Sequence, residues 1–474
     1  MKFLATFFSL TFALSVSAAD KPNVLFIAVD DLNCDLGSYG HPLVKSPNID
    51  RLAKRGMLFE KAYCQYPVCN PSRASFMTGL YPEQTKILSN AGHFRDHHPN
   101  VVTLAQHFKN NGYYSARVGK IYHFGVPTDI GTSSKDDPAS WHEVRNPKGV
   151  DKIREEEIHT LQPGKYGGTL SWLRMDNTKD TEHTDGIGAT DMIQLLKDHD
   201  PKKTSQPFFL AMGFYRPHTP YVAPGHYFDL YPKDKIDPVM MKPGDRDDIP
   251  KAALPDRPHQ LELTIEKRKE IIQAYYASIS LMDAQVGRVL AALEEQGLTD
   301  NTVIVFVSDH GYHLGAHGLW QKSDLFEGSA RVPLIIANPF SDKEDGKVTQ
   351  SLAELTDLYP TLVELCGLET PDHVEGSSLV PVLNDPKKKV HRSAYSVTEC
   401  RVVKRPDKSK FLGRSIRTAR YRYTEWDHGE YGVELYDYKG DPEEYTNLAK
   451  DPKHAKLLER MRRLLNTRIK DPKK

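Results

Sequence analysis

The sequence predicts an α/β fold, a mixed and mostly parallel sheet flanked by helices, followed by a smaller C-terminal α+β subdomain of antiparallel sheet plus helix. Three observations carry this expectation. Four short apolar runs are continuous rather than alternating, which suits strands covered on both faces by helices. Amphipathic helical patterns lie between them. Past Asp385-Pro386-Lys387-Lys388-Lys389 the pattern changes to short β-like runs and a last helical stretch. A chain of 474 residues exceeds one minimal domain, so one large and one smaller unit are expected, 20–404 and 405–474.

In order along the chain, Met1 to Ala19 has one positive charge at Lys2, an apolar run to Val16, and small residues Ser17, Ala18 and Ala19. That is the form of a secretory signal peptide spanning 1–19, too short and too early for a spanning helix. No later stretch is apolar for the length a membrane span requires, so an exported protein without a membrane span is expected. The runs Asn23–Val29, Tyr113–Val118, Gln206–Phe214 and Thr302–Ser308 are the expected strands. The clearest helix pattern runs Ile271-Ile272, Tyr275-Tyr276, Ile279, Met282, Val286, Val289-Leu290, Leu293 and stops near Gly297. Ser133 to Tyr166 and the Pro-rich Arg216 to Pro258 read as long loops, expected to wall a substrate site. In the tail, Ser415–Thr418 and Arg420–Thr424 read as strands and His454 to Ile469 as a helix.

Each of the four runs ends in chemically capable residues: Asp30-Asp31, Gly119-Lys120 with His123 behind, His218, and Asp309-His310. Ligands of parallel sheets bind beyond the carboxyl ends of the strands, so these ends should converge on one site. Three carboxylates and an imidazole at two strand ends are hard ligands that suit calcium or magnesium. Taken singly, Asp30-Asp31 could be a helix cap and Asp309-His310 a turn. Lys plus Arg equals Asp plus Glu at 63 each, so no basic field points to nucleic acid. Five cysteines in so long a chain do not make a disulfide scaffold, and nothing in the spacing of Cys34, Cys64, Cys366 and Cys400 dictates pairing.

The run Val68-Cys69-Asn70-Pro71-Ser72-Arg73 places a cysteine and a proline where a helix opens, so position 69 should sit near a helix N-terminus that favours an anion. A buried cysteine before an ordinary cap is the alternative for this hexapeptide alone. The run resembles the sulfatase signature Cys-x-Pro-Ser-Arg. Pro22–Leu25, Asp30-Asp31-Leu32, Asn48-Ile49-Asp50, Gly119-Lys120, Arg216-Pro217-His218, Asp309-His310-Gly311, Glu434–Asp437 and Asp441–Glu444 extend the resemblance over most of the chain. Within that family, Gly119–His123, Pro217–Tyr221 and Gly315–Lys322 are most similar to iduronate-2-sulfatases and their bacterial relatives.

The resemblance implies an alkaline-phosphatase-like fold and hydrolysis of sulfate esters on sulfated carbohydrate. Cys69 would be converted to formylglycine by a formylglycine-generating enzyme, and its hydrated aldehyde would be the nucleophile. Asp30, Asp31, Asp309 and His310, with the modified Cys69, would hold calcium, magnesium being the alternative. Arg73 and Lys120 would steady the diol; Lys120, His218 and Lys322 would grip the sulfate. His218 or Lys322 would protonate the departing sugar oxygen, and His123 would take a proton from the second hydroxyl. These residues follow strands or lie in polar loops, so truncating Lys120, His218 or Lys322 is expected to leave the core intact. Tyr312 stands where iduronate-2-sulfatases have tryptophan, and Asp136-Asp137 resembles an acidic pair near their sugar pocket, so Tyr312 and Asp137 are the candidate substrate contacts. With no Asn-x-Ser/Thr acceptor, a bacterial periplasmic or secreted enzyme is expected over a glycosylated lysosomal one. Two other readings are a phosphate or phosphonate monoester hydrolase of the same superfamily and a non-catalytic binder of sulfated glycan.

Overall fold

The computed structural model describes residues 21–340 and 346–470. The segment expected as a signal peptide, 1–19, lies outside the described residues. The four expected strands form as β1 (Asn23–Val29), β3 (Tyr114–Gly119), β5 (Phe208–Gly213) and β6 (Thr302–Ser308). They are joined by β2 (Met57–Tyr63), β4 (Glu143–Arg145), β7 (Arg331–Ala337) and β8 (Lys347–Glu354) in an eight-stranded sheet ordered β8-β2-β7-β6-β1-β5-β3-β4. Only β7 runs against its neighbours, antiparallel to both β2 and β6; every other pair is parallel.

β1 shows why the sheet is covered on both sides. Leu25, Ile27 and Val29 pack with α2 (Thr184–Asp198) and the long α3 (Ile265–Glu295). Val24, Phe26 and Ala28 point the other way, into a cluster with Ala74, Phe76 and Met77 of α1 (Cys69–Thr78). Period-two alternation with both faces apolar gives the continuous run seen in the sequence. Each such side chain removed from water contributes about 1.5–3 kcal/mol.

The expected loops carry more structure than their composition suggests. The 133–166 stretch supplies the edge strand β4 and a short helix, Val150–Ile153. The 216–258 stretch supplies a strand, Tyr221–Pro224, and a helix, Gly225–Asp229. The strand pairs in parallel with Ser171–Met175, which settles a sequence too short and proline-rich to show periodicity.

A four-stranded antiparallel sheet of β9 (Ala394–Glu399), β10 (Leu412–Arg417), β11 (Tyr421–Trp426) and β12 (Val433–Asp437) follows, taking its first strand from before residue 405. Met461 and Leu465 of α4 (Ala455–Lys470) pack on Val397, Ile416, Tyr423 and Leu435 of that sheet. Arg468 of α4 donates to Glu354 at the end of β8, 2.5 Å away, and ties this unit to the main sheet. Among the described residues no helix is long and apolar enough to cross a membrane. The five cysteines are all free.

Candidate active site

The carboxyl ends of β1, β3, β5 and β6 do converge. A glycine crossing delivers Lys120: Gly119 has φ of +70°, and a Cβ there would stand 2.2 Å from the Gly213 carbonyl oxygen of β5. The Lys120 N–H donates to that same oxygen at 2.9 Å. Lys120 is fully buried, with its ammonium ion-paired to Asp30. Truncating it strands a buried carboxylate, so the expectation that its removal leaves the core unharmed does not hold.

Cys69 opens α1, whose N-cap Val68 is extended and offers no capping side chain, and all ten helix residues are buried. Its Sγ lies 3.4 Å from Asp30 Oδ1, 3.4 Å from His310 Nε2 and 3.0 Å from Lys322 Nζ. Lys322 also pairs with Asp31 Oδ1. Ser72 of the same helix donates to the Asp309 carbonyl, and Arg73 Nε donates to Asp309 Oδ2 at 2.8 Å.

Asp31 takes a left-handed φ of 62°, uncommon for a residue with a side chain, and its N–H donates to Asp309 Oδ1 at 3.3 Å. Its Oδ2 is buried and accepts no hydrogen bond among the described residues. His310 Nδ1 donates to the Gly311 carbonyl at 2.9 Å, because a carbonyl can only accept. That fixes the tautomer and leaves Nε2 with a free lone pair, 3.4 Å from both Asp31 Oδ1 and Asp309 Oδ1. Asp30, Asp31, Cys69 and His310 each present a ligand atom within 4.8 Å of the others. An unpartnered buried carboxylate oxygen and an aimed imidazole in an oxygen-rich set fit a hard divalent cation.

The electrostatics follow from burial and mixed charge. Burial raises Asp30, but Lys120, His218, Arg73 and Lys322 outweigh it and hold the carboxyl well below the usual range. Asp31 is raised by burial, which Lys322 only partly offsets, with Asp30 adding to the rise. Lys322 keeps its proton: burial opposes the charge, but Asp31 and Cys69 push it up. Burial, reinforced by Lys120, drives His123 down to about 2, so it is neutral. His218 is also lowered, chiefly by burial.

His218 is held by its loop. The Tyr215 and Arg216 N–H groups each donate to Asp185 at 2.9 Å, and Arg216 pairs with Asp151 at 2.7 Å while donating to the His218 carbonyl. His218 Nδ1 donates to the Thr219 carbonyl at 2.6 Å, which leaves Nε2 facing Asp31 Oδ2 at 3.8 Å. Above this cluster lies a cavity of about 510 Å³ lined by His123, His218 and Lys322, with walls from Lys152 to Gly168 and from Arg257 and Arg401. A cavity of about 560 Å³ between Lys61 and Lys439 shares no residue with it.

Two expected substrate contacts are not brought to this cavity. Asp137 is buried against Arg95, at 2.8 and 3.0 Å, and accepts from Ser140. Tyr312 stacks on Tyr275 with centroids 5.2 Å apart, and its hydroxyl bonds that of Tyr221 at 2.6 Å. Short polar motifs in loops do not reveal which way a side chain turns, and both residues found internal partners. Conversely, Lys165, Arg257 and Arg401 line the cavity and were not singled out. Their signal was only an isolated basic residue in a loop.

Residues 22–368 match the sulfatase family, and residues 315–471 match N-sulphoglucosamine sulphohydrolase, C-terminal. The chain belongs to the sulfatase family. It is a sulfuric ester hydrolase. It is 33% identical to mouse (Mus musculus) iduronate 2-sulfatase, covering 94% of each chain. It is 34% identical to a sulfatase of Formosa agariphila, covering 94% of this chain and 86% of that one. In fold it is similar to a phosphonate monoester hydrolase of Agrobacterium radiobacter, with a TM-score of 0.77 at 24% identity over 95% of this chain and 96% of that one. The fold is thus the alkaline-phosphatase-like one expected.

Proposed function

We propose that this sulfatase hydrolyses sulfate esters of sulfated carbohydrate with position 69 as formylglycine and a divalent cation, calcium by preference and magnesium as the alternative. The observation that carries the reading is the setting of Cys69, at a helix N-terminus and within 3.4 Å of Asp30, His310 and Lys322. Asp30, Asp31, Asp309 and His310 would hold the cation, which supplies Lewis acidity to an oxygen at position 69. Formylglycine there supplies a geminal diol, whose second hydroxyl lets the enzyme release sulfate after transfer.

The chain's own residues do the rest. Lys120 and Lys322 bring two ammonium donors to the space over Cys69, with the Nε2 edge of His218 beside them, the positive surroundings a sulfuryl group needs as charge spreads over its equatorial oxygens. Arg73 holds Asp309, and so the nucleophile's partner, in place. Neutral His123 accepts the proton of the second hydroxyl, and its Nδ1 has no hydrogen-bond partner among the described residues. Lys322, which keeps its proton, or His218 once its Nε2 has taken one, returns a proton to the departing sugar oxygen. We further propose export, in line with the signal-like 1–19, to a bacterial periplasm or medium, with maturation by a formylglycine-generating enzyme.

Mass spectrometry of the peptide containing Cys69, together with turnover of an aryl sulfate and an aryl phosphate, tests this. Formylglycine at 69 and preference for the sulfate are expected. An unmodified thiol in active protein, or preference for the phosphate ester, overturns the reading.

A further inference from the structure

The cavity over Cys69 has a cationic wall that the reacting ester does not need. Arg257 lines it beside His218 and Lys322. Its guanidinium makes no hydrogen bond or ion pair among the described residues, and Nη1 is buried. The fully buried arginines differ: Arg73 pairs with Asp309, Arg117 with Asp136, Arg216 with Asp151, and Arg422 with Glu444. Arg401, just beyond β9, lines the same cavity from its exposed rim and has no ion pair among the described residues. Lys165 adds a third cation, whereas Glu155, the single carboxylate of the lining, is engaged by Lys152 at 2.6 Å.

A half-hidden guanidinium without a counter-charge is unfavourable. Burial, first, and then the like charge of Arg401 pull Arg257 below the usual arginine range, and the more distant carboxylates of Asp31 and Asp324 offset this only in part. Two guanidinium groups left to repel one another in a pocket wall suit an incoming oxyanion, which both can meet with paired donors. The sulfate under attack is already surrounded by Lys120, His218 and Lys322, so the anion they take is a different one.

We propose that Arg257 and Arg401 form a second anion subsite, which binds a carboxylate or further sulfate on the same saccharide as the reacting ester. The inference rests on the sulfatase reading of the pocket and narrows its substrates to saccharides with at least two anionic groups.

Calorimetry on Cys69→Ala protein reports binding whatever chemistry the pocket performs. The probes are glucuronate 2-sulfate, glucosamine 2,6-disulfate and, as a monoanionic control, glucose 6-sulfate. At least one dianionic probe should bind about 10- to 100-fold tighter than the control, the margin of a charge-assisted contact. Which of the two does so identifies the second anion as carboxylate or sulfate. Adding Arg257→Gln should erase that margin and leave the control within about twofold, with a melting temperature no lower, since an unpaired charge has gone. No margin, a margin that survives both Arg257→Gln and Arg401→Gln, or equal loss of all probes with early melting overturns the subsite. Turnover of p-nitrophenyl sulfate by protein with Cys69 intact is measured in parallel. Its absence, with the binding margin present, counts against the sulfatase reading and leaves the subsite standing.

Discussion

Lys322→Ala separates what the cluster does for the fold from what it does for the reaction. Lys322 is the charge nearest Cys69 Sγ, at 3.0 Å, and is also the ion-pair partner of Asp31. Without it, Asp31 keeps His310 Nε2 at 3.4 Å and His218 Nε2 at 3.8 Å, both on rings that burial holds neutral. Breaking a buried pair by removing one partner costs about 3–5 kcal/mol. Asp31, already raised by burial and Asp30, can shed part of that cost by taking a proton. The rate loss is separate: a donor aimed at charge that develops in the transition state is worth roughly 2.7–4 kcal/mol, about 100- to 1,000-fold in kcat. Aryl sulfate turnover per folded molecule, with denaturant melts on the same preparation, gives both numbers. Calcium in excess should restore part of the stability by neutralising Asp31 but not the rate. A folded variant with kcat/KM within tenfold of the parent would refute the assignment of Lys322 to the sulfate.

Three further outcomes are expected. Asp309→Ala should abolish the stabilisation that calcium gives the parent, about 2.7 kcal/mol at a hundredfold excess over Kd, and a melt that still responds would remove Asp309 from the cation set. His391, whose Nε2 is 2.8 Å from Asp357, is lowered by burial but raised more by that carboxylate, to about 9 against 6.5 unfolded. Its stabilising proton is therefore fully present below pH 6.5 and lost as pH rises through about 9, a decline on the order of 3 kcal/mol that denaturation of His391→Gln should lack. Arg468→Met should destabilise by about 3–5 kcal/mol, by stranding Glu354 between the main sheet and α4, while aryl sulfate kcat stays that of the parent. A variant as stable as the parent would show the clamp to be dispensable.

The strands that carry the site were legible because they are buried on both faces and end in charge, which needs no knowledge of partners. The rest of the sheet was not. β2 reads Met57-Leu58-Phe59-Glu60-Lys61-Ala62-Tyr63, and the two charges at its centre break the apolar run. β7 contains Pro333, which argues against a strand until its place is seen: the register with β2 shifts between Val332 and Leu334, so the proline sits at an irregularity where a ladder bond is already missing. In the site, the residues of the Cys69, Lys120, Asp309 and Lys322 motifs were brought together as expected. Asp137 failed because Arg95, 42 positions away, claims it. Arg257 was missed because an unpaired arginine is recognisable only once all its neighbours are known.

Arg73 shows how one residue of a modification motif is also used by the fold. Its guanidinium has five N–H donors. Nε donates to Asp309 at 2.8 Å, Nη1 to the carbonyls of Lys120 and Ile121 at 2.6 and 2.9 Å, and Nη2 reaches the Val29 carbonyl at 3.5 Å. Those acceptors are the carboxyl ends of β6, β3 and β1, so a single planar fork fixes three strand ends relative to α1 and thus to Cys69. Burial lowers the guanidinium, but Asp309 and Asp30 together with the Asp309 hydrogen bond outweigh it, so the charge is permanent. With its donors spent on the scaffold, Arg73 has little left for a substrate oxygen. It bears on the reaction through where it places Asp309 and the Lys120 backbone. A lysine could supply the charge at this position but not the fork, because one ammonium cannot reach carbonyls on two strands and a carboxylate on a third. The arginine that follows Pro71-Ser72 is therefore required by the geometry of the sheet ends, independently of anything that reads the motif beforehand.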